Sequence, residues 1–224
     1  MTAEKNSQDS LKTIETSMTK IEMFIEKNKK IFVYTIGAMI ILVGGFIAYK
    51  HLIVAPRETK AQSLMWRAER QFAIDSFAVA LNGNEAVIGF AEIAEEYSGT
   101  PTGNLAHYYA GISSLHIGEY EQALAYLSEY ESDDEVTTSL AMLAMGDAYS
   151  ELGNLDKAVD LYIKAAHTIN HEALSPRCLI KAGEVYEKIG QKDKARAAYS
   201  EIKTKFSSAP EVDLVEKYLI RVQQ

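Results

Sequence analysis

Three glycines spaced 35 and 37 residues apart, Gly111, Gly146 and Gly183, constrain this 224-residue chain more than any other feature. Each is followed seven residues later by a second glycine (Gly118, Gly153, Gly190) and twelve later by an alanine (Ala123, Ala158, Ala195). Leu127, Tyr162 and Tyr199 then stand sixteen residues after the first glycines. Tyr149 and Tyr186 recur three residues after their glycines, a column that Ser114 breaks. A period of this length means stacked copies of one supersecondary unit, none able to bury its apolar face alone.

The columns describe a helix pair. The first glycine lies inside a first helix where a partner approaches too closely for a larger side chain, and the alanine meets that approach from the second helix. The second glycine ends the first helix in a left-handed conformation, and Leu127, Tyr162 and Tyr199 fill the space between pairs. The expected fold is therefore all-α, with units at about 104–137, 139–172 and 176–209. Ser175-Pro176 reads as the N-cap and first helical residue of the third. These columns resemble the tetratricopeptide repeat, an α-solenoid of stacked helix-turn-helix units. The family's terminal proline is absent from the first two units, and His107 and Met142 fill its tryptophan-type position.

Partial units flank the three, and the repeat domain is expected over 57–222. Ala86, Phe90 and Ile93 copy the spacing of Ala158, Tyr162 and Ala165, so 85–97 reads as a second helix, split by Asn82-Gly83-Asn84 from a longer first helix over 57–81. This pair forms a degenerate unit, 57–97. At the other end, residues 211–222 read as a closing helix that covers the last apolar face.

Upstream, residues 31–49, IFVYTIGAMIILVGGFIAY, carry no charge. As a helix they would span about 28 Å, the thickness of a bilayer's hydrocarbon core. The thirty-residue lead, the length of the run and the lack of a small-x-small cleavage site argue for an uncleaved single N-terminal transmembrane helix over a signal peptide. Gly44 and Ala48 form a weak small-xxx-small pair, and 51–56 lead away and stop at Pro56. Before the run, Leu11, Ile14, Met18, Ile21 and Ile25 give residues 1–30 an amphipathic stripe. It suits a helical extension near the membrane surface or a partner-docking helix. Lysines 27, 29 and 30 before the run and Lys50, Arg57 and Lys60 after it leave orientation leaning only slightly to a cytoplasmic N-terminus.

Charge narrows the partners. Residues 51–224 hold 16 basic and 26 acidic side chains, and 71–156 hold 15 acidic ones with no Lys or Arg. Such a domain repels nucleic acid and favours cationic segments. One cysteine, Cys178, excludes an internal disulfide. No phosphate loop, nucleophile elbow or metalloprotease helix is present. His167 and His171 lie four apart but without a supporting ligand set, and the run Glu131–Glu135 reads as a solvated loop. No cofactor and no enzymatic activity are expected.

What remains is a binding surface. First helices line the concave face of such a solenoid, so the candidate groove comprises Tyr108, Ile112 and Leu115, then Leu143, Asp147 and Ser150, then Arg177, Ile180, Glu184 and Glu187. Chaperone-binding relatives clamp a terminal carboxylate with Lys, Asn and Arg; only Arg177 and Lys181 match, so an extended apolar or cationic peptide is expected instead.

The layout as a whole, including the approach Phe24-Ile25-Glu26-Lys27-Asn28, resembles the YfgM-like ancillary subunits of the bacterial Sec translocon. That resemblance implies an inner-membrane location, with a cytoplasmic N-terminus and a periplasmic repeat domain. Its implied partners are the SecYEG translocon, a membrane-anchored parvulin-type chaperone and exported chains. A scaffold for another envelope complex, in outer-membrane assembly or the cell wall, is the alternative.

Overall fold

The computed structural model describes residue 24 and residues 26–223. Most of the expected arm over 1–30 thus lies outside the described residues. The chain divides into two compact units, Met1–Ala55 and Pro56–Gln224.

In the first unit, α1 (Lys29–Tyr49) buries no residue and is apolar on every face. Its most apolar 18-residue window has a mean hydropathy of 2.4, so this helix is long and apolar enough to cross a membrane. The Thr35 hydroxyl removes its own polar cost by donating to the Phe32 carbonyl at 3.0 Å. A π-helical turn, Lys50–Val54, follows.

Helix α2 (Ala55–Ala73) carries the chain into the second unit, and Pro56 is its second residue rather than a stop. The long helix expected over 57–81 is broken. Asp75 takes φ 58°, which aspartate tolerates, and α3 (Phe77–Asn82) starts afresh. The break lets Phe72 pack edge-on to Phe77 and Phe90, with ring centroids 5.2 and 6.2 Å away. The next helix, α4 (Phe90–Glu96), starts five residues later than the spacing suggested. Asn84 explains the delay: its side chain accepts from the backbone N–H groups of Ala86 and Val87 at 2.9 and 3.0 Å, a local turn that competes with a helix.

Three helix pairs follow. They are α5 (Pro101–His116) with α6 (Tyr120–Glu129), α7 (Glu135–Glu151) with α8 (Leu155–Ile169), and α9 (Ser175–Lys188) with α10 (Lys192–Lys205). Thr100 caps α5 through Gly103 N–H at 3.0 Å and Asp134 caps α7 through Thr137 N–H at 2.8 Å. Ser175 does not cap α9. It is fully buried inside the first turn, donates to the Ala166 carbonyl and accepts from His171 N–H, each at 2.8 Å, and so ties the end of α8 to the start of α9. A closing helix, α11 (Val212–Gln223), buries Val215 and Val222 beside Tyr199 and Ile202 of α10. Glu58 of α2 accepts from the backbone and hydroxyl of Thr102 at 3.0 and 2.7 Å, fixing the degenerate unit to α5. No β-strand occurs among the described residues.

The helix pairs close as the glycine columns require, with one difference. The alanines are fully buried, but the group that descends on each glycine is the side chain sixteen residues on. A Cβ at Gly146 would lie 2.5 Å from the Tyr162 ring, and one at Gly111 would lie 2.5 Å from Leu127 Cγ. A ring packed against a helix backbone buries more apolar area than an alanine methyl could, and only glycine admits it. Gly146→Ala must therefore displace Tyr162. It should lower stability by about 1–3 kcal/mol, read as a fall in the thermal midpoint by circular dichroism.

Candidate peptide groove

Corresponding positions of neighbouring first helices come together in this stack, and their chemistry differs along it. In the first pair, Tyr108, Ile112 and Leu115 pack as partly buried apolar groups against Leu127, Ala141 and Ala144. One unit further on, Asp147 of α7 accepts the Tyr162 hydroxyl at 2.6 Å and pairs with Lys181 of α9 at 2.9 Å. At the last step, Glu187 of α9 accepts the Tyr199 hydroxyl at 2.6 Å and Arg221 Nε of α11 at 2.8 Å, while Glu184 accepts the Tyr218 hydroxyl at 3.2 Å. An apolar step gives way to two polar ones.

Burial and the acceptor carboxylates push both hydroxyls, Tyr162 and Tyr199, well above the usual phenol range, so they stay protonated donors. The Arg221 guanidinium holds the Glu187 carboxyl below its ordinary value. Burial pushes the Cys178 thiol up to about 11, which makes it an inert core group. The Lys181–Asp147 pair is only partly covered, with side chains 41% and 29% exposed, and a pair of this kind contributes at most about 1 kcal/mol.

Leu115, Asp147 and Ser150 line a cleft of about 270 Å³ with Tyr120, Glu151 and Lys181. A smaller cleft of about 180 Å³ carries on from Ser150 and Lys181 to Glu184, Val185 and Lys188. The remaining candidates stand elsewhere. Leu143 lies against two core clusters, Ile180 is 9% exposed as a member of one of those two, and Arg177 is exposed to solvent. Glu187 is engaged by its two partners. Tyr162, Glu151 and Lys188 were not among the expected lining residues, and Lys181 entered only as a match to the carboxylate clamp. The Tyr162 ring fills its packing column as expected, and its hydroxyl gives it a second role that a packing column does not reveal. Lys181 and Asp147 are 34 residues apart, and their pairing is visible only once the units are stacked in register.

The histidines have local duties. His167 Nε2 lies 3.0 Å from Glu201, and His171 Nδ1 accepts from Ala173 N–H at 3.2 Å. Among the described residues no group of three or more His, Cys, Asp or Glu side chains converges on one point.

The depressed Glu187 carboxyl fixes a pH dependence. Its bond with Arg221 stabilises the fold above about pH 4.5, the ordinary carboxylate value, and that contribution is lost as pH falls further through the lowered folded value. Glu187→Gln should cost stability at pH 7 and little at pH 3, so its thermal midpoint converges with that of the unaltered protein on acidification. A constant gap across that range would refute this.

A family model described as a tetratricopeptide repeat-like domain matches residues 23–221, a span that includes α1 as well as the repeats. No curated protein matches the chain. Domains of this kind act as protein–protein interaction modules and are typically non-catalytic scaffolds. With its all-α stack of helix pairs and a match over most of its length, the chain belongs to the tetratricopeptide repeat-like domain family.

Proposed function

We propose that this protein is a non-enzymatic adaptor, anchored in the bacterial inner membrane by α1, which binds an extended segment of a partner in the cleft between α5, α7 and α9. The observation that carries the reading is the combination, in one chain, of an interaction fold with a 21-residue helix that buries nothing. A stable helix with apolar side chains on every face needs an apolar solvent, and a bilayer supplies one. The cleft supports a peptide ligand. Leu115 and Tyr120 offer apolar contact at one end, while Ser150, Glu151 and Lys188 offer polar groups towards the other.

The finer part of the proposal is a place in Sec-dependent export, with SecYEG, a membrane-anchored parvulin-type chaperone and exported chains as partners. It rests on the resemblance of the whole layout to the YfgM-like subunits. In that arrangement the N-terminus is cytoplasmic and the repeat domain periplasmic.

Two measurements test the proposal. Alkaline carbonate extraction should leave the full chain in the membrane and release a variant lacking residues 31–49; release of both would remove the anchor. A photo-crosslinking residue at Glu151, on the exposed rim of the cleft, should capture translocon subunits, the chaperone or exported chains in native membranes. Adducts confined to outer-membrane assembly or cell-wall proteins would replace export with another envelope scaffold.

A further inference from the structure

The second helix of the first complete pair stops early. α6 has 10 residues, whereas α8 and α10 have 15 and 14. Counted from the glycine that ends each first helix, α8 sends Ala165 and Ile169 into the core at the twelfth and sixteenth positions, and α10 brings Ile202 there, with Phe206 just past its end. The same positions after Gly118 are Tyr130 and Asp134. Tyr130 leaves the helix with ψ 125°, and Asp134 serves as the cap of α7. Electrostatics favour the early stop. Glu129, Glu131, Asp133 and Asp134 would crowd negative charge at a helix C-terminus, where the macrodipole is already negative. No Lys or Arg occurs anywhere from 71 to 156 to offset it.

The missing turn leaves room on both sides of the link that replaces it. One side is a cleft of about 550 Å³ walled by Pro101, His107, Glu129, Glu131 and Asp133. The other is a cleft of about 450 Å³ walled by Leu127, Tyr130, Ala141, Met142 and Met145. The link does not collapse into either space, because it is held. The Asn104 amide bonds both the carbonyl and the N–H of Glu131, at 2.7 and 2.9 Å, and the Thr138 hydroxyl bonds the Ser132 carbonyl at 3.1 Å. Among the described residues, Glu129, Glu131 and Asp133 form no ion pair. On the same wall, His107 Nδ1 is buried without a hydrogen-bond partner.

We propose that this gap is a docking site for a protein segment that carries a bulky apolar side chain beside lysine or arginine, and that the segment supplies the turn the chain omits. The apolar side chain enters between Leu127, Met142 and Met145, where two unbranched thioethers adapt to varied shapes. The basic groups face Glu129, Glu131 and Asp133. This surface is separate from the cleft between α5, α7 and α9 and does not depend on it.

The test uses the full chain in nanodiscs of phosphatidylcholine, with empty nanodiscs as the blank. The probes are a short fluorescein-labelled peptide of leucines flanked by lysines and a twin with glutamate in place of each lysine. Fluorescence anisotropy should show binding of the basic peptide, little binding of its acidic twin, and weakening with salt. The double variant Glu131→Lys with Asp133→Lys alters exposed side chains, so it should keep the thermal midpoint yet weaken binding by about tenfold or more. A photo-crosslinking residue at Ser132 should join the basic peptide, and Glu151→Lys should leave binding unchanged. The proposal is overturned if neither peptide binds, if the acidic twin binds equally, or if the double variant binds as before. Loss of binding in Glu151→Lys would also overturn it, by moving the probe to the other cleft.

Discussion

The contact on which this solenoid depends is a side chain laid across a glycine. Tyr162 over Gly146 and Tyr199 over Gly183 bring the two helices of a pair closer than any Cβ would allow, and Leu127 does the same over Gly111. This closeness sets the geometry of each pair. It also brings the tyrosine hydroxyls to Asp147 and Glu187 on the first helices. One side chain thus serves packing at its ring and polarity at its tip. The acids that accept these bonds bind the next first helix, through Lys181 in one case and Arg221 in the other. Packing within a pair and register between pairs are therefore linked through the same two carboxylates.

The change from leucine to tyrosine along the column explains the uneven chemistry of the first helices. Where Leu127 stands, no hydroxyl arrives, and Ile112 and Leu115 occupy the positions held by Asp147 and Ser150 in the next unit. The cleft opens where the apolar step meets the first polar one. At the far end α11 stands where a further first helix would, and its Tyr218 and Arg221 engage Glu184 and Glu187.

Much of this was legible in the sequence, and the reasons are physical. A glycine, a left-handed glycine, an alanine and a large side chain at fixed offsets are each the residue type demanded by a particular backbone approach, so their recurrence reports the helix pairs directly. The degenerate unit was read less well. The break at Asp75 and the late start of α4 are decided by tertiary packing of Phe72 and by the Asn84 side chain, neither of which has a repeat column to announce it. Ser175 carried a capping sequence but found a better partner in the Ala166 carbonyl. Among the groove candidates, position in the column identified Leu115, Asp147 and Ser150, whereas the pairing of Lys181 with Asp147 and the polar role of Tyr162 became visible only when one unit was set against the next.

The truncation of α6 also divides the domain mechanically. The apolar clusters on either side of it are large, one centred on Phe90 and Ile93, the other on Leu179 and Tyr199. Between them, the step from α6 to α7 is bridged by a small cluster of Leu127, Ala141 and Ala144. In a solenoid each unit is stabilised by its neighbours alone, so the step that buries least is the one that opens most cheaply. Fluctuations that begin at Tyr130 can part the stack there while the aromatic core of each half stays closed, giving the domain a built-in line of articulation.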